Sequence, residues 1–155
     1  MTRNPPQWQD PDGHMRLLLP VDGSPRSLAA VRHAIALAAC LRQPAHLVLL
    51  NVQQAMRGNI GRFIGEADLR RYHEDEGRKA LARALRLVRE SHLPHESHVL
   101  VGEVVAGILD AAERHGCNAI VLANRGHGSV AGMLMGSVSM RLLHQSPRPV
   151  ILVRA

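Results

Sequence analysis

Five short apolar runs punctuate the chain, and four segments with helical periodicity lie between them. Residues 15–21 (MRLLLPV) are apolar without alternation, which predicts a parallel strand covered on both faces. Pro20 falls near its carboxyl end, where a missing ladder donor matters least. Asp22-Gly23 turns the chain, Ser24 suits a helix N-cap, and Pro25 suits the first helical position. Leu28, Val31, Ile35 and Ala38 share one face of the helix that follows, and Pro44 ends that element. Residues 45–52 (AHLVLLNV) predict a second buried strand, and residues 53–65 a loop of the kind that covers ligands. A long helix is predicted over 66–91, with Leu69, Tyr72, Ala80, Leu81, Ala84, Leu85 and Val88 as its apolar stripe. Glu66 and Asp68 near its start and Arg86 and Arg89 near its end suit the helix dipole, and Leu93-Pro94 stops it. Residues 96–101 read as a third, alternating strand. A helix over 104–115 follows, weakened at Gly107 by roughly 1 kcal/mol relative to Ala, with Gly116 as its left-handed cap. Residues 119–123 (AIVLA) predict the fourth strand, 137–145 the last helix, and 149–154 (PVILVR) the fifth strand.

The order β-α-β-α-β-α-β-α-β requires crossovers. Right-handed crossovers place helices on both faces of a mostly parallel sheet, so the expected fold is a three-layer α/β/α sandwich of Rossmann-like type. In such sheets ligands sit beyond the carboxyl ends of the strands, where the strand order reverses. Asp22, Val52 and Arg125 fall at those ends. So does a loop carrying Gly126, Gly128 and Gly132, which runs to Gly136-Ser137 at a helix start. A strand leading through glycines to a helix N-terminus suits phosphate, because backbone N–H groups approach closely and the dipole favours an anion.

Composition narrows the picture. The length of 155 residues suits one domain, and a 46% hydrophobic content with one Trp, one Tyr and one Phe implies an aliphatic core. No apolar run is long enough to span a bilayer. Residues 1–13 contain three prolines and no apolar stretch, so they read as a flexible tail rather than a secretory signal, ahead of a domain over 14–155. Cys40 and Cys117 form no CxxC pair and are expected as buried or half-buried free thiols, in keeping with the cytoplasm. The net charge of +6 comes largely from one arginine-rich helix. Without aromatics to stack on bases, a solvated basic face is expected rather than a nucleic-acid site.

Over 14–155 the chain resembles the universal stress protein family. The family frame of Gly, two residues, Gly, nine residues, then Gly followed by Ser or Thr appears here as Ala123-Asn-Arg-Gly126, nine residues, and Gly136-Ser137. LLLPVDGS, HLVLLNV, VGEVVAGILDAAERHGCNAIVLA and GSVSMRLLHQSPRPVILV occur in the family's order. The resemblance implies ATP, with or without Mg²⁺, as a regulatory ligand between the carboxyl ends of strands one and four. The implied binding set is Pro20, Val21, Asp22, Val52, Leu122, Ala123, Arg125, Gly126, Gly136, Ser137, Val138 and Ser139. In it Asp22 lies against the nucleoside and Val52 lines the adenine pocket, with the glycine loop and helix start on ribose and phosphates. Ser137 and Ser139 offer hydroxyls to phosphate oxygens. The resemblance also implies a homodimer, built by antiparallel pairing of the apolar edge strand 149–154 across a two-fold axis.

Ala123 departs from the frame. A methyl group there hinders binding if the position needs positive φ, and matters little if it closes a β run, which is the expectation. A nucleotide-free dimeric docking module of the same fold is therefore the alternative. Asp22 also suits a cap of the first helix or turn, Gly126 and Gly128 also suit plain turns, and Arg125 and His127 suit either phosphate or solvent. Ten histidines raise the question of metal, and His92, His95 and His98 are spaced by three. They straddle a proline and a strand start, no cysteine or second cluster completes a set, and no metal site is expected there. No nucleophile–base–orienter set is visible and the glycine loop lacks the Gly-Lys-Ser/Thr ending of a P-loop, so no catalytic residue is assigned.

Overall fold

The computed structural model describes residues 14–55, 65–124 and 135–154. The chain runs β1 (Arg16–Pro20), α1 (Pro25–Ala39), β2 (His46–Gln53), α2 (Glu66–Glu90), β3 (His95–Val101), α3 (Val104–Arg114), β4 (Ala119–Ala123), α4 (Ser137–Gln145), β5 (Val150–Val153). The strands form one sheet in the order β3-β2-β1-β4-β5, with all four pairings parallel. The order reverses between β1 and β4, and β5 forms one edge.

Both faces are covered, which is why the strand runs are continuously apolar. Leu17, Leu19 and Val21 pack with Leu28 and Val31 of α1 and Leu81, Ala84 and Val88 of α2. Leu18, Val48, Leu50 and Ile120 pack on the other side with Val105 and Ile108 of α3 and Leu142 of α4. The result is the expected three-layer sandwich.

Local chemistry sets the element ends. Ser24 caps α1 by accepting from Ser27 N at 3.1 Å, with Pro25 in the first turn. Gly23 holds φ at +81°, and a Cβ there would stand 3.2 Å from Ala80 Cα, so the β1–α1 turn needs glycine twice over. Gly116 is left-handed (φ 59°), as its place after α3 predicts.

The differences from the expected pattern are local. Strand ends shift by one residue or so, within ordinary fraying. Tyr72 is not in the buried stripe of α2: it is 47% exposed, and His73 and Gly77 face inward instead. Gly77 makes this possible, since a Cβ there would lie only 2.3 Å from Val99 Cγ1, so α2 packs its backbone onto β3. Cys40 is exposed at the end of α1 rather than buried, whereas Cys117 is buried, and both are free. The arginines of α2 lie on its solvent face, where Arg78 pairs with Glu74 and Lys79 with Glu76. Among the described residues no helix is long and apolar enough to cross a membrane.

Candidate functional site

The carboxyl ends of β1, β2 and β4 and the start of α4 enclose a cavity of about 290 Å³. It opens where the strand order reverses, the position at which sheets of this kind bind ligands. Pro20, Val21, Asp22, Val52, Leu122, Ala123, Gly136, Ser137, Val138 and Ser139 all line it. The expectations at Arg125 and Gly126, like those at His127 and Gly128, fall outside the described residues.

Six further lining residues were not singled out in the sequence: Ser27, Leu50, Asn51, Gln54, Val104 and Ile108. Asn51 carried a signal, as a polar residue inside an otherwise apolar strand. It is 4% exposed, and its Nδ2 donates to Val21 O at 2.7 Å while its Oδ1 accepts from Gln53 Nε2 at 2.6 Å. That bridge fixes the ends of β1 and β2 side by side, with Val21 N donating to Leu50 O at 2.8 Å. Val104 and Ile108, one turn apart on α3, bring that helix over the cavity. Gly107 lets it come close, since a Cβ there would lie 3.3 Å from Val52 Cγ1.

Asp22 is exposed. It lines the cavity, and its Oδ1 accepts from Ser24 N at 3.0 Å, holding the turn. Ala123 closes β4 and is 6% exposed. Among the described non-glycine residues only His92 has positive φ, so Ala123 is in ordinary extended backbone and its methyl imposes no strain.

The start of α4 differs in detail from the expected nest. Gly136 is the N-cap (φ −74°, ψ 155°) and makes no side-chain capping bond. Its N–H donates to Asn124 O at 2.7 Å and its carbonyl accepts from Met140 N at 3.0 Å. The Ser139 hydroxyl donates to Ala123 O at 3.1 Å. These two donors are therefore engaged, and the groups left to meet an anion are the first-turn N–H groups of Ser137, Val138 and Ser139, together with the exposed Ser137 hydroxyl.

Glu103, the N-cap of α3, accepts from Ala106 N at 2.8 Å through Oε2 and from Arg141 Nη1 at 2.7 Å through Oε1. The Ala106 N–H, and after it Arg141, hold its carboxyl below the usual range. The pair joins α3 to α4, the two helices that wall the cavity. Among the described lining residues Asp22 is the ionisable one, so the lining offers apolar walls, amide and hydroxyl groups, and a helix N-terminus. This surface suits a flat apolar ring at one end and an anion at the other.

His92, His95 and His98 do not converge. His92 takes the left-handed turn after α2 (φ 58°), His95 Nδ1 pairs with Leu93 O at 2.9 Å, and His98 lies beside Glu96 and His115.

Comparison with known proteins agrees with this fold. The model of the universal stress protein family matches residues 14–154. A universal stress protein of Thermus aquaticus is 32% identical over 140 residues, covering 89% of this chain and 97% of its own. Universal stress protein YxiE of Bacillus subtilis is 31% identical over 149 residues, covering 90% and 98%. Among solved structures, UspA of Lactobacillus plantarum superposes with a TM-score of 0.75 at 24% identity, covering 91% of this chain and 98% of that one. A universal stress protein in complex with cAMP (TM-score 0.62, 24% identity, covering 90% and 97%) and an Arabidopsis thaliana family protein with AMP bound (0.62, 16%, covering 90% and 91%) share the fold.

Proposed function

This chain belongs to the universal stress protein family, and from that premise we propose that it binds ATP in the cytoplasm as a regulatory ligand of the stress response. The observation that carries the proposal is the cavity itself. Its apolar wall of Val21, Val52, Val104, Ile108 and Leu122 faces a helix start whose first N–H groups have no partner among the described residues. The base packs against the apolar wall beside Val52, the ribose meets Asp22, and the phosphates run to the N–H groups of Ser137, Val138 and Ser139. At about 290 Å³ the described cavity lies near the lower end of small-molecule pockets, and the phosphates reach past its rim. Mg²⁺ accompanies the nucleotide, held by phosphates and water. The cAMP and AMP complexes of proteins sharing the fold support an adenine nucleotide as ligand class. We assign the nucleotide a regulatory rather than catalytic use; among the described lining residues Asp22 is the one ionisable group. β5, an edge strand with its outer backbone groups unpaired by β4, supplies the surface for a homodimer.

The departure at Ala123 favours one other reading, a nucleotide-free docking module. Mass spectrometry of protein purified without added nucleotide, followed by calorimetric titration with ATP, separates the two. Co-purified adenine nucleotide or saturable ATP binding is expected. No bound nucleotide together with no binding at millimolar ATP would overturn the ATP reading.

A further inference from the structure

Away from the cavity, three side chains with metal-binding donors meet under the end of α3. Glu96 and His98 lie two residues apart on the edge strand β3, opposite Val48 and Leu50, and therefore on the face that α3 covers. His115 is the residue that ends α3. Its Nδ1 is 3.3 Å from Glu96 Oε1, and His98 Nε2 is 3.7 Å from Glu96 Oε2. One donor atom from each of the three lies within 4.8 Å of the others. The two imidazole rings lie side by side, with centroids 4.2 Å apart and planes tilted by 33°.

We propose that Glu96, His98 and His115 form a binding site for a divalent transition-metal cation. Two imidazole nitrogens and one carboxylate oxygen make a borderline donor set that suits Zn²⁺, Co²⁺ or Ni²⁺ rather than Mg²⁺ or Ca²⁺, which take oxygen. His98 Nε2 is buried and has no hydrogen-bond partner among the described residues, since 3.7 Å is too long for one. A lone pair held out of water beside a carboxylate is what a metal ion satisfies. Bonds of about 2.0–2.2 Å bring donors on one ion within about 4.2 Å of each other. Closing the set therefore takes small rotations, which half-exposed side chains permit.

Arg16 orients two of the ligands. Its Nη2 donates to Glu96 Oε1 at 2.6 Å, and its Nε donates to His115 O at 2.7 Å. Oε2, on the His98 side, is left for the ion. Arg16 is also a competing positive charge, offset in part by the carboxyl-terminal dipole of α3. Three protein ligands leave the remaining positions to water. The bound ion ties the edge strand β3 to α3 without touching the cavity, so this site stands or falls independently of nucleotide.

Zn²⁺ titrated calorimetrically into the full chain is expected to fill one tight site. His98→Gln and His115→Gln are each expected to weaken that site at least tenfold, and His92→Gln and His95→Gln to leave it unchanged. Should either ligand variant fail to fold, NMR of the wild-type imidazoles during Co²⁺ titration replaces it, with His98 and His115 broadening first. Undiminished Zn²⁺ binding in both ligand variants would overturn the proposal, as would Co²⁺ broadening that begins at other histidines.

Discussion

The Ser139 hydroxyl donates to the carbonyl oxygen of Ala123 at 3.1 Å, tying the first turn of α4 to the last residue of β4. Both residues line the cavity, and Ser139 is 2% exposed. The bond therefore supports the α4 side of the cavity from behind. Ser139→Ala leaves a buried carbonyl without this donor, which destabilises by about 1–3 kcal/mol. Urea denaturation is expected to show that loss, with ATP affinity falling less than in Ser137→Ala, whose hydroxyl is exposed at the rim.

Glycine at position 123 is a direct check of the departure from the family frame. Because Ala123 has ordinary extended backbone, Ala123→Gly is expected to change ATP affinity less than threefold while lowering stability by roughly 0.5–1 kcal/mol. A large gain in affinity would mean that the methyl group obstructs the nucleotide. Gly136→Val is the converse experiment. The Gly136 backbone (φ −74°, ψ 155°) accepts any side chain, but a branched one beside the anion site is expected to weaken ATP binding at least tenfold, about 1.4 kcal/mol.

Gly77→Ala sets helix propensity against packing. Alanine gains about 1 kcal/mol in a helix interior. Its Cβ would meet Val99 Cγ1 at 2.3 Å and Cγ2 at 2.6 Å, and overpacking of that kind destabilises by typically 1–3 kcal/mol. The clash is expected to win. Val99→Ala in the same chain makes room for the new methyl, so a double-mutant cycle in urea should give a favourable coupling of about 1 kcal/mol or more.

The two thiols should differ sharply in reactivity. Burial pushes the Cys117 thiol up to about 11, against a smaller opposite pull from Arg16 and Arg148, so little thiolate forms at pH 8. Cys40 is exposed. Iodoacetamide at pH 8 is expected to modify one thiol per chain, and none at that rate in Cys40→Ser. Cys117 should react only when urea unfolds the protein.

Light scattering at micromolar concentration tests the proposed dimer, with a two-chain mass expected. Pro149 O and Val153 O accept from β4, so in a parallel ladder Val150 and Leu152 direct their backbone groups outward. Leu152→Pro removes an outward N–H while leaving the β4 ladder, a placement that edge strands tolerate. It should give a folded monomer by circular dichroism and light scattering. A wild-type monomer would remove β5 from the proposal.

The elements were legible because a strand buried on both faces prints an unbroken apolar run, as in residues 17–19 and 119–123. Neighbours in the sheet were less so, since periodicity says which face is buried but not against what. For that reason Val104 and Ile108 escaped notice: only the packing of α3 over β2 brings them to the cavity. The strand-end residues from Pro20 to Asp22, with Val52 and Ala123, were readable from topology and family resemblance. The duties of Gly136 and Ser139 were not, because the Gly136 N–H and the Ser139 hydroxyl are taken by the carbonyls of Asn124 and Ala123 at the end of β4. His115 likewise meets His98 only after α3 has folded back, a proximity that the spacing of the histidines along the chain does not reveal.

The central place of β1 also has a consequence for how the protein is made. β1, β2 and β3 lie side by side in the earlier part of the chain, whereas β1's other neighbour, β4, leaves the ribosome much later. A half-sheet of β1, β2 and β3 formed before β4 emerged would carry a bare inner edge at Leu17 and Leu18, the kind of surface that recruits chaperones or mispairs. The ligand cavity straddles this same seam, so it comes into being only when the two halves close.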